Sequence, residues 1–211
     1  MKKIFTSLAV VFTAVTFFGQ IITQNSTPNT VSTTGSVACG NNANGYTADN
    51  YYSRVFKLSD YGITSDFKIT NVAFGVQTAS TDFEATLNIY NLTSGTYPSG
   101  TTNLLTTAQV PITTSDAGGM VNSGTSINQV ITAGSSFVVE IFHDGSTNIE
   151  MFYMGTHPGT QTGLSYLKST TCGLSTPIAT GTGALASFAT ARWVMTITGE
   201  NALGVTEVIN S

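Results

Sequence analysis

From Tyr46 to about residue 200 the chain repeats one pattern: short runs rich in Val, Ile, Phe, Tyr and Thr, separated by Gly, Asn, Asp, Ser and Pro. Several runs alternate apolar and polar positions, the period of a strand with one buried face. Over 137–143, Phe137, Val139 and Ile141 share a face, His143 continues it, and Glu140 lies opposite. Over 83–90, Phe83, Ala85, Leu87 and Ile89 oppose Glu84, Thr86, Asn88 and Tyr90. Over 191–198, Trp193, Met195 and Ile197 oppose Arg192, Val194 and Thr196, which assigns Trp193 to the core. Phe67 and Ile69 start in one phase and Val72, Phe74 and Val76 continue in the other, so a bulge is expected near Asn71.

Further strands are expected at about 52–58, 103–112, 126–131, 150–155 and 163–168. Turns are expected at Asp144-Gly145, Gly95, Pro98-Ser99-Gly100 and 116–119. Helical periodicity and fixed-period repeats are absent after the first residues. About eight to ten half-buried strands predict an all-β protein, an antiparallel two-sheet β-sandwich of jelly-roll-like form.

Lys2 and Lys3 precede an apolar stretch over 4–18, then Gly19-Gln20 and a polar Thr/Asn/Ser segment. This is the layout of a secretory signal peptide, expected over 1–19. The apolar run is short for a span of ~20 residues, so no transmembrane anchor is expected. An extended arm is expected over 20–45, the sandwich over 46–200 and a linker over 201–211. Charged residues are 9% of the chain, against ~25% in an average protein. Without the leader, Arg54, Lys57, Lys68, Lys168 and Arg192 face eleven acidic residues, a balance that excludes a nucleic-acid or polybasic membrane surface. An exported location makes a Cys39–Cys172 disulfide the expected pairing, one that constrains the unfolded chain by roughly 5 kcal/mol.

Catalytic signatures are sparse. His143 is expected in strand-end packing and His157 in a loop, since no HExxH or paired-His spacing occurs. Gly163-Leu164-Ser165-Tyr166-Leu167 lacks the second glycine of a nucleophile elbow, and the loop from Gly95 to Thr102 lacks the lysine of a phosphate loop. Asp82, Glu84, Glu140, Asp144 and Glu150 offer carboxylates for glycoside hydrolysis, but exposed charges on alternating strand faces explain them more simply. No cofactor is expected; calcium is the one candidate metal, with Asp49, Asp60, Asp66 and Asp144 in the oxygen-rich loops. Arg54 falls with Tyr52, Phe56 and Leu58, so it faces inward and needs a carboxylate or carbonyls, an ion pair being the expected solution. Of the eight tyrosines, Tyr51 and Tyr97 are the ligand candidates, because aromatic faces stack on sugar rings.

Ala48-Asp-Asn-Tyr-Tyr-Ser-Arg-Val-Phe-Lys-Leu58 and Tyr61-Gly-Ile-Thr-Ser-Asp-Phe67 resemble secreted β-sandwich modules of Bacteroidetes-type bacteria. So do Leu87-Asn-Ile-Tyr90 leading to Tyr97-Pro-Ser-Gly100, Gln161-Thr-Gly-Leu-Ser-Tyr166, and Thr171-Cys-Gly-Leu-Ser-Thr-Pro177. The resemblance brings no catalytic residues. Leu203-Gly-Val-Thr-Glu-Val-Ile209 resembles the linker before a type IX secretion C-terminal sorting domain, which implies the secretion machinery as a partner. Two expectations stay open: a longer product that continues into that sorting domain, or export that ends at the periplasm. The expected function is a secreted or cell-surface binding, adhesion or accessory module, with glycan or a surface polymer as ligand. A secreted carboxylate hydrolase and a purely structural envelope protein are the alternatives.

Overall fold

The computed structural model describes residues 19–41, 43–124, 127–145 and 149–202. The expected leader, apart from Gly19, and the expected linker beyond Ala202 lie outside the described residues. Two antiparallel six-stranded sheets stack into a sandwich, with a two-stranded ribbon at one side. The strands are β1 (Gln20–Thr23), β2 (Gly40–Asn41), β3 (Tyr46–Thr47), β4 (Asn50–Lys57), β5 (Phe67–Ala79), β6 (Phe83–Ser94) and β7 (Thr101–Ile112). Then come β8 (Gly119–Asn122), β9 (Gln129–Ile131), β10 (Ser136–His143), β11 (Phe152–Met154), β12 (Ser165–Ser169), β13 (Leu174–Ala179) and β14 (Met195–Asn201). The first sheet runs β1-β14-β5-β11, with β8 and β9 also on β5; the second runs β13-β12-β4-β10-β6-β7. Among the described residues no helix is long and apolar enough to cross a membrane.

The alternating runs become strands because their apolar positions meet between the sheets. Ala85, Leu87 and Ile89 of β6 and Phe137, Val139 and Ile141 of β10 are fully buried. They join Phe74, Phe152, Met195 and Ile197 of the other sheet in one core. Tyr52 bridges the layers edge-on to Trp193 and Phe152, at 5.0 and 5.7 Å between ring centroids. Trp193 is buried, and its indole nitrogen donates to the Tyr166 carbonyl at 2.9 Å. The phase change in β5 is a bulge: Thr198 pairs with Asn71 and Gly199 with Ile69, leaving Thr70 as the extra residue.

Both faces of the last run are covered, which alternation did not anticipate. Val194 and Thr196 are buried along with Met195. The first residues of the arm over 20–45 form β1 on the edge of β14, and Thr23 Oγ1 donates to the Met195 carbonyl at 2.8 Å. The arm ends in the Cys39–Cys172 disulfide, which ties it to the turn between β12 and β13.

Candidate functional site

The outer face of the second sheet carries the site. Strand register places its side chains in rungs across β4, β10 and β6: Lys57–Ser136–Leu92, then Val55–Val138–Tyr90, Ser53–Glu140–Asn88 and Tyr51–Phe142–Thr86. β12 extends the last two with Tyr166 beside Ser53 and Lys168 beside Tyr51. The loop between β6 and β7, which includes a cis Tyr97–Pro98 bond, folds back over this face. Tyr97 then shares a 2.8 Å hydrogen bond between its hydroxyl and Ser53 Oγ and sets its ring edge-on to Tyr166 at 4.9 Å.

Tyr97 divides two hollows and is the residue their linings share. The first, about 480 Å³, is bounded by Val55, Lys57, Asp60, Thr162, Leu164 and Tyr166. The second, about 300 Å³, has Tyr90, Val138, Glu140 and Lys168 at its base and Pro98, Ser175 and Pro177 at its walls. Both fall in the size range of small-molecule sites.

Glu140 corrects a sequence expectation, since it is buried rather than an exposed strand charge. Asn88 Nδ2 and the Tyr90 hydroxyl donate to its Oε1 at 3.2 and 3.0 Å. Burial pushes its carboxyl above the ordinary glutamate value, while those hydrogen bonds and Lys168 pull the other way. The signal lay in its neighbours: Val138 and Phe142 make the outer side of β10 apolar too, as a covered face requires. Burial likewise raises the Tyr90 and Tyr97 hydroxyls, helped by the nearby Glu140 charge, so both phenols stay protonated donors.

The two tyrosines expected to meet a ligand differ. Tyr51 is stacked on Phe142 at 4.2 Å, and Lys168 Nζ lies 4.3 Å from its ring centroid. Because β10 and β12 flank β4 on opposite sides, these neighbours cover both faces of the ring. Tyr51 is therefore a support for Lys168 rather than a stacking surface. Tyr97 lines both hollows and is half-buried.

Arg54 is fully buried as expected, but among the described residues its hydrogen-bond partners are neutral and it forms no ion pair. Nη1 donates to Gln24 Oε1 at 3.2 Å, Nη2 to Gln161 Oε1, and Nε and Nη2 to Ser165 Oγ at 3.3 and 3.0 Å. Burial draws the guanidinium down to about 9, with Tyr61 opposing, so it is still a cation at neutral pH. Ser165, the serine of the incomplete elbow, is consumed here and also accepts the Trp193 amide at 2.9 Å.

The acidic loop residues are dispersed. Burial raises the Asp49 carboxyl, but hydrogen bonds from Thr171 and Thr170 outweigh it and leave Asp49 below its ordinary value. Asp66 accepts the Ala133 amide at 2.8 Å. Asp60 borders the first hollow, and Asp144 is exposed just past β10. Among the described residues no group of three or more His, Cys, Asp or Glu side chains converges as metal ligands. His143 is buried at the strand end, its Nε2 3.7 Å from Glu150 Oε2. His157 does lie in a loop, yet it is buried, with Nε2 2.9 Å from Ser26 Oγ of the arm. Comparison with protein-family models, curated proteins and solved structures finds no match, so function rests on this geometry.

Proposed function

We propose that this protein is an exported, non-catalytic β-sandwich that binds carbohydrate on the outer face of its second sheet. The observation that carries the reading is the hollow beside Tyr97, where Tyr90, Tyr97 and two proline walls surround Glu140 and Lys168. Aromatic and proline surfaces favour the apolar faces of sugar rings, while a carboxylate, an ammonium and hydroxyls fix the orientation of sugar hydroxyls. Export is supported by the leader-like head of the sequence, the tail resembling a type IX linker, and the Cys39–Cys172 disulfide, a bond kept in oxidising compartments. A binding rather than hydrolytic role is supported by the uses of the other carboxylates. Glu150 faces His143, and Asp82 accepts the Thr114 amide at 3.0 Å.

A glycan array and a polysaccharide pull-down with the secreted protein test this reading. Retention on at least one sugar class, weakened in a Tyr97→Ala variant of unchanged melting temperature, is the expected result. Blank arrays across chemically diverse sugars defeat it.

A further inference from the structure

Resting on that reading, we infer that the hollows on either side of Tyr97 are tandem subsites for a single chain of uncharged sugars that crosses over the Tyr97 ring. Tyr97 is suited to the crossing point. Its hydroxyl is tied to Ser53 below, its ring is braced by Tyr166 at the side, and it walls both hollows. A single sugar unit needs one hollow, whereas two aligned along the strands suit a polymer segment.

The charges select the class of chain. Each hollow holds one lysine and one carboxylate, Lys57 with Asp60 in the first and Lys168 with Glu140 in the second. Among the described residues, these two lysines are not ion-paired to the carboxylates beside them; the lysine that is so paired is Lys68, with Glu200 at 3.4 Å. Each hollow is thus neutral overall yet offers both a strong donor and a strong acceptor, the complement of vicinal hydroxyls. A uronate or sulfated chain would lose against Asp60 and Glu140 what it gains from Lys57 and Lys168, and would approach a protein whose formal net charge is already −4. An extended peptide is also disfavoured, because strand addition uses the backbone of a sheet edge and this face offers side chains only.

Titration calorimetry with neutral gluco-, xylo- and manno-oligosaccharides of increasing length, with polygalacturonate and dextran sulfate as charged probes, tests the inference. Affinity for the neutral series is expected to rise about tenfold or more from the disaccharide to a length filling both hollows, as linked subsites require. Lys57→Met with Asp60→Asn in the first hollow, and Glu140→Gln in the second, should each abolish most of that gain while the melting temperature is retained. Affinity independent of length, loss from one hollow's variants only, or preference for the charged probes overturns the inference and leaves the carbohydrate reading standing. Binding to none of the probes, together with blank arrays, removes both.

Discussion

Arg54 is a desolvated cation satisfied by amides and a hydroxyl, so removing one acceptor has a defined consequence. Gln161→Leu leaves Nη2 without its amide partner in a buried site. The expected loss is about 1–3 kcal/mol, the cost of unpairing one N–H of a buried cation whose Nη2 still donates to Ser165 Oγ. Urea denaturation measures it, and an unchanged midpoint would show that the cage is dispensable. At Glu140 the prediction concerns binding. Its folded carboxyl titrates above the ordinary value of 4.5, so the ionised form is lost as pH falls through that raised value, sooner than for an exposed glutamate. Sugar affinity that uses the carboxylate should therefore decline on mild acidification, and Glu140→Gln should bind more weakly but with a flat pH profile over that window. The same shift makes ionised Glu140 a destabilising element near neutrality, relieved on acidification. Sequence placed both residues on the correct faces. It could not supply their partners, because Gln24, Gln161, Asn88 and Tyr90 come from other segments of the chain.

Among the elements, β5 organises the first sheet, with β14 along one edge and β8 and β9 along the other. β11 continues on the β14 edge, and there the backbones approach closely at Gly75 and Gly155. A Cβ on Gly155 would stand 2.6 Å from the Gly75 carbonyl carbon and 2.9 Å from a Val31 methyl. Gly155→Ala is expected to destabilise by about 1–3 kcal/mol through backbone displacement, readable as a lowered melting temperature with unchanged strand content by circular dichroism. Wild-type stability in that variant would mean the strands can separate freely. The strand runs and the β5 bulge were legible because period-two alternation is local. β8 and β13 were not, since β8 is four residues headed by glycine and β13 is an edge strand with a central proline and little burial. Gly145 shows a similar limit. Its dipeptide reads as a turn, yet the space a side chain would take is filled by the Thr47 and Ala48 backbone, with the Ala48 carbonyl oxygen at 2.5 Å.

Across the molecule, the arm and the disulfide close the fold over long sequence distances. Cys39 and Cys172 are separated by 133 positions, a loop whose closure restricts the unfolded chain by about 4–5 kcal/mol on entropy grounds. Replacing both cysteines by serine should lower the denaturation midpoint by an amount approaching that figure, and reductant should affect the parent protein but not the variant. Equal midpoints for the two proteins would mean that the arm is held by its non-covalent contacts, β1 pairing, the Ser32–Thr156 bridge and the Ser26–His157 bond among them.

What the sequence determined by itself is the sheet class, the inward set of side chains and the sole possible cysteine pairing, because each follows from residue type and spacing of two. Tertiary structure decided which outward faces are covered, how Arg54 is satisfied, and that Tyr51 is sandwiched while Tyr97 stands between two hollows. Those outcomes depend on strand order and on a loop folding back across a sheet, and a local period of apolar residues contains no information about either.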